Sequence, residues 1–146
     1  MALLLDTNVV SAARRPERQD DAFRLFLRDY DIGEAFISSV TLMEIRFGIQ
    51  REELRDPQFA GDLTRWLNEI VLPVFEGRIL DFSGDAALTA GTLPTPQKRP
   101  TADAMIAATA LTHGLTVATR NAADFEPLGV GIVNPWAYAP ENPRPD

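Results

Sequence analysis

Leu3 to Leu5 is an unbroken apolar run, the pattern of a strand buried on both faces of a parallel sheet. Asp6-Thr7-Asn8 follows and offers three helix caps before Val9 to Ala13. Beyond Pro16 the period becomes helical: Phe23, Phe26, Leu27 and Tyr30 share one face of Ala22 to Tyr30, and Arg24, Arg28 and Asp29 take the wet side. Ala35 to Ile37 predicts the next strand. Ser38, Ser39 and Thr41 open a helix striped by Leu42, Ile45 and Ile49, with Gly48 its weak point, and Arg51 to Pro57 reads as a charged turn. Phe59 to Val71 is helical again through Leu63, Trp66, Leu67 and Ile70, until Pro73 stops it.

The second half repeats the alternation. Arg78 to Phe82 predicts a short strand, Gly84 to Ala90 a helix and Gly91 to Pro100 a proline-rich loop. Thr101 caps a helix over Ala102 to His113, whose alanines let it lie close on a sheet, and Gly114 ends it. Leu115 to Thr119 is a strand, Arg120 to Phe125 a turn or short helix, and Gly131 to Val133 a last short strand. This order predicts an α/β fold, a small parallel sheet with helices on both faces. A single domain over 1–136 is expected, with a proline-rich tail over 137–146 that frays after Trp136.

Composition narrows the setting. At 146 residues and 45% hydrophobic, the chain suits one core. The absence of cysteine excludes disulfides and thiolate zinc sites and makes a reducing cytoplasm the natural compartment. The N-terminal apolar run ends at Asp6, too short for a signal segment, and no later run could span a bilayer, so a soluble protein is expected. A net charge of −7 argues against a broad basic surface, although the cations, nearly all arginine with Lys98 the sole lysine, suit bidentate phosphate contacts.

The acidic residues carry the chemistry. Asp6, Glu44, Asp103 and Asp124 each fall where a strand is expected to pass into a helix, and in an open α/β sheet the carboxyl ends of the strands form the ligand-binding rim. Four carboxylates on one rim suit Mg²⁺ or Mn²⁺, and hence a metal-dependent phosphodiesterase or nuclease. Each acid also has a structural reading. Asp6 caps a helix, Asp103 favours the positive end of one, Thr41-Leu42-Met43-Glu44 fits a capping box and Asp124 caps a turn. Without a cation, four gathered acids would drive one another's pKa values upward, which favours the metal reading. Thr7, Asn8, Thr119 and Asn121 flank the acids with groups able to hold water or phosphate oxygen, or simply to shape turns. His113 reads as a cation at a helix C-terminus, since there is no second histidine to join it.

Taken in order, L-L-D-T-N, S-S-V-T-L-M-E-I-R-F-G, A-D-A-M-I-A-A-T-A-L-T-H-G-L, A-T-R-N-A-A-D-F and V-N-P-W resemble the PIN-domain ribonuclease toxins of the VapC and FitB group, over Leu3 to Trp136. The resemblance implies a Mg²⁺-dependent endoribonuclease acting on RNA, leaving 5′-phosphate and 3′-hydroxyl ends, and a type II antitoxin partner. It makes Asp6 and Asp103 direct metal ligands. Glu44 and Asp124 then complete the cluster, orienting water at the metal and acting on the attacking water as base. Thr7 and Thr119 are supporting residues, and Asn121 stands where some members carry a further aspartate. The chain departs from the pattern between Ala90 and Pro100, where relatives carry a longer helix and a basic loop.

Two rivals come from other classes. A haloacid-dehalogenase-like phosphatase needs an aspartate where Asn8 stands, and a catalytically silent PIN domain would bind RNA or a partner without needing the acidic set. Phe47, Phe59 and Trp66 exceed what one small sheet must cover, so a homodimer is expected, and the acidic rim should attract an arginine- or lysine-bearing antitoxin segment.

Overall fold

The computed structural model describes residues 1–140. Five short strands, β1 (Leu3–Leu5), β2 (Ile37–Ser38), β3 (Ile79–Leu80), β4 (Thr116–Ala118) and β5 (Ile132–Val133), run parallel. One group has the order β1-β4-β5 and the other pairs β2 with β3. Phe36 joins them: it bridges Leu4, its N–H donates to the Leu3 carbonyl at 2.9 Å, and its carbonyl accepts from Leu5 N–H at 2.9 Å. The spatial order is therefore β3-β2-β1-β4-β5, and its direction reverses at β1, so the crevice beyond the carboxyl ends of β1 and β4 is the topological switch point.

The strands alternate their side chains between two cores. Leu3 and Leu5 pack with Val9, Val10, Phe23, Phe26 and Ile49, while Leu4 and Val117 pack on the other face with Ile106, Ala107 and Ala110. Helices α1 (Thr7–Ala13), α2 (Asp21–Asp29), α3 (Ser39–Arg55) and α4 (Pro57–Trp66) supply the first layer. A one-turn α5 (Leu72–Val74), then α6 (Gly84–Ala90), α7 (Ala102–His113) and the short α8 (Ala122–Phe125) complete the chain. The expected boundaries of α6 and α7 hold. Thr101 Oγ1 accepts from Ala104 N–H at 3.1 Å, and Gly114 takes the left-handed conformation, φ 66°, that its lack of a Cβ permits.

Three local expectations are corrected and one boundary shifts. The charged stretch Arg51 to Pro57 is not a turn, because α3 continues through Gly48 to Arg55 and is stopped only where Asp56 caps α4. Gly48 has an ordinary helical environment, and the buried stripe Val40, Thr41, Ile45 and Ile49 outweighs its low propensity. The helix runs one residue past Pro73, to Val74, before it stops; the preceding turn, Leu67–Val71, widens to a π-turn, which accommodates the hydrogen bond that a proline cannot make. The chain does not fray after Trp136, since Tyr138 packs its ring against Phe26 and Tyr30 and donates its hydroxyl to Asp29 at 2.6 Å. The expectation for 141–146 lies outside the described residues.

Of the three aromatics expected to be in surplus, Trp66 packs on the core and Phe59 lies under the Arg14 guanidinium. Phe47 is the exposed one, with Met43 beside it on α3. Among the described residues no helix is long and apolar enough to cross a membrane.

Candidate active site

Asp6 is the residue after the last registered pair of β1 and β4, Leu5 opposite Ala118. The same register carries Thr119 to its side, so two residues far apart in sequence meet at the switch point. Asp6 is buried, 4% exposed, yet both oxygens of its carboxylate accept hydrogen bonds. Oδ2 accepts from Thr119 Oγ1 at 2.7 Å and Asn8 Nδ2 at 3.2 Å, and Oδ1 accepts from Thr7 N–H at 2.7 Å. Burial raises its pKa, and these three donors oppose the rise. Oδ1 retains a lone pair.

The surrounding hydroxyls are themselves fixed. Thr7 Oγ1 donates to Glu44 Oε1 at 2.6 Å and lies 3.1 Å from Thr41 Oγ1. Thr119 Oγ1 accepts from Asn121 N–H at 3.0 Å, and Asn8 Oδ1 accepts from Arg120 N–H at 3.2 Å, which ties the start of α1 to the segment between β4 and α8. Sequence reasoning missed Thr41. It is buried and placed one turn before Glu44 on the same helical face, not at the cap.

The strand-to-helix description holds for Asp6 and needs correcting for the other acids. Glu44 lies more than a turn inside α3, so the capping box is not formed; Ser38 is the cap, its Oγ accepting from Val40 N–H at 3.0 Å. Asp103 follows the proline-rich loop and occupies the first turn of α7. Asp124 lies within α8, exposed, and Asn121 precedes that helix without capping it through its side chain. His113 sits in the last turn of α7, its ring nitrogen 3.0 Å from the Thr109 carbonyl.

Electrostatics nevertheless joins the four acids. Asp103 is half-buried, and its pKa is pushed up to about 6, first by burial and then by the charges of Asp6, Asp124 and Glu44. No three acidic or histidine side chains among the described residues close tightly enough to enclose a cation. The chemistry of the donor set still fits a hard divalent ion: carboxylate oxygens only, held in mutual repulsion, with one buried member fixed by a hydroxyl and two amides.

Four acids whose charges act on one another near the carboxyl ends of the strands, on a five-stranded parallel sheet between helical layers, make an acidic α/β site. The PIN domain family matches residues 3–128, and the chain belongs to that family. It is 34% identical to the VapC ribonuclease Y4jK of Sinorhizobium fredii over 94% of this chain and 99% of the relative. Its fold matches the crystal structure of FitAcB from Neisseria gonorrhoeae with a TM-score of 0.79 and 33% identity, covering 92% of this chain and 99% of that one. A toxin–antitoxin complex from Klebsiella pneumoniae matches with a TM-score of 0.62 and 27% identity, over 91% of this chain and 97% of that one. Nucleases of this family are metal-dependent in general.

Proposed function

We propose that this chain is a Mg²⁺-dependent endoribonuclease, the toxin of a type II toxin–antitoxin pair, hydrolysing RNA phosphodiester bonds with water as nucleophile. The observation that carries this reading is Asp103, whose carboxyl is raised by burial and by the three other acids around the switch point. Such a set is costly without a counter-charge and suited to a divalent cation that neutralises the scissile phosphate and acidifies water. Mn²⁺ is a competent substitute on the same oxygen ligands.

In this reading Asp6 and Asp103 hold the metal. Thr119, Asn8 and the Thr7 amide orient Asp6 and oppose the rise that burial gives its pKa. Thr7 fixes Glu44 through their hydrogen bond, which leaves the second Glu44 oxygen to orient or deprotonate the attacking water. Asp124, exposed at the rim, shares that task, and Asn121 offers its amide to the substrate. The catalytic domain is 1–136, acting in the cytoplasm as a homodimer through the surface around Phe47. An antitoxin segment bearing arginine or lysine would enter the acidic crevice and compete with the cation. The ribonuclease name of the Sinorhizobium relative and the toxin–antitoxin complex from Klebsiella support this assignment.

The deciding experiment is cleavage of end-labelled RNA with Mg²⁺, with chelator, and with Asp103→Asn. Cleavage by the wild type with Mg²⁺ alone supports the reading. RNA binding without cleavage would make the chain a silent PIN domain, and release of phosphate from a monoester with no RNA cleavage would make it a phosphatase. Addition of the cognate antitoxin at equimolar concentration should abolish cleavage.

A further inference from the structure

Between Thr119 and Asn121 stands an arginine that the roles above leave unused. Arg120 is anchored through its backbone, N–H to Asn8 Oδ1, on the rim where Asn8 also reaches Asp6. Its guanidinium lies over the Trp136 ring, 5.0 Å from the centroid. That ring is itself held: its Nε1–H donates to Gln19 Oε1 at 3.2 Å, and it packs at a tilt against Phe23 in the core, centroids 4.7 Å apart. V-N-P-W at the end of the domain thus provides a fixed platform.

Six other arginines are held in ion pairs, while Arg14 and Arg78 lie over Phe59 and Phe75 away from the Asp6–Asn8–Thr119 rim. Arg24, Arg28, Arg46, Arg55 and Arg65 each pair with a carboxylate on their own helix, and Arg15 pairs with Glu17. No carboxylate pairs with Arg120 among the described residues. It is exposed. An exposed guanidinium resting over an aromatic ring with no carboxylate partner has N–H donors to offer, and its planar fork matches the oxygens of a phosphate. RNA approaching four acids on a chain of charge −7 needs a cation where it crosses the rim.

We propose that Arg120, stacked on Trp136, is a binding site for a backbone phosphate of the RNA beside the scissile bond, with Trp136 as its positioning residue. The site rests on the nuclease reading for the identity of its ligand as RNA. Its contact is to the backbone and therefore sequence-independent.

The probe is a fluorescein-labelled twelve-nucleotide single-stranded RNA of mixed sequence, with Ca²⁺ replacing Mg²⁺ during titrations from low to moderate salt. Arg120→Ala should weaken binding about five- to tenfold, as loss of a charge-assisted contact does. It should also reduce the slope of log K against log salt by about 0.7, the value for one phosphate on a single strand. Arg120→Lys should keep the slope and lose part of the affinity, having the charge without the stack. Trp136→Leu should weaken binding in the wild-type background and change nothing further when Arg120 is already alanine, whereas Trp136→Phe should retain most affinity. Melting curves establish that each variant is folded, and the Arg120 variants decide the matter should Trp136→Leu fail to fold.

An unchanged affinity and slope in Arg120→Ala would overturn the site, as would a wild type that binds no RNA. A wild type that binds with this Arg120 dependence but does not cleave in Mg²⁺ would overturn the nuclease reading and leave the phosphate site standing.

Discussion

Thr119 donates its hydroxyl to the buried carboxylate of Asp6 at 2.7 Å, across a sequence separation of 113 residues. The parallel register of β1 and β4 brings them together, so the bond reports both the fold and the readiness of the site. Thr119→Val keeps the shape and removes the donor, which leaves Asp6 Oδ2 with Asn8 alone. Stability should fall by about 1–3 kcal/mol, as for a buried charged acceptor losing a partner. Thr119→Ser should recover most of it. Urea midpoints for the two variants check this, and equal midpoints would refute it.

Asparagine substitutions separate the two proposed metal ligands. Asp103 accepts no hydrogen bond among those described, so Asp103→Asn removes only a repelled charge. It should abolish RNA cleavage and the thermal stabilisation given by Mg²⁺, yet melt no lower than wild type in chelator. Asp6→Asn should also be inactive but should melt lower, because an amide has one acceptor oxygen where Asp6 uses both. Calorimetry with and without Mg²⁺ distinguishes these outcomes.

The pH dependence of metal-free stability follows from Asp103. Its folded pKa of about 6 lies above the ordinary carboxylate value of 3.8. The folded state therefore holds the proton more tightly, so the group's favourable contribution is fully present below 3.8 and is lost as pH rises through 6. In chelator, Asp103→Asn should match the wild type's melting temperature at the acid end and exceed it increasingly toward pH 7. Saturating Mg²⁺ should reverse the order at neutral pH. A difference independent of pH would show that Asp103 is not coupled to the other acids.

Thr7 tests whether Glu44 acts through its orientation. With its Oγ1 2.6 Å from Glu44 Oε1, Thr7→Val should lower kcat severalfold while leaving KM nearly unchanged, and Thr7→Ser should restore kcat. A change confined to KM would assign Glu44 to substrate binding instead.

Tyr138 secures the segment that follows Trp136 against α2. Tyr138→Ala removes ring contacts with Phe26 and Tyr30 as well as the bond to Asp29, and should lower the melting temperature by more than Tyr138→Phe, which removes the bond alone. That bond holds the phenol's pKa up to about 12, so its contribution is complete below the ordinary value of 10 and disappears as pH rises through 12. Identical melting of the two variants would place the stabilising interaction in the hydroxyl.

What the sequence determined by itself is local. Thr101 and Gly114 bracket α7 because a side-chain oxygen and a missing Cβ act within a few residues, and the apolar runs of β1 and β4 are strands in any parallel sheet that buries both faces. The PIN motifs that contain Asp6, Glu44, Asp103 and Asp124 made the family legible before any fold was known, and the fold brings the charges of the other three to bear on Asp103. Tertiary structure decided the rest. The charged turns of α3 look like a loop when read alone and are helical because Ile45 and Ile49 bury one face. Thr41 looks like a cap and is a buried neighbour of Thr7, since Ser38 already serves the amides at the start of α3. Arg120 and Trp136 stand in separate motifs, and their stack depends on the path from β4 through β5 back to α2, a long-range closure that local periodicity cannot encode.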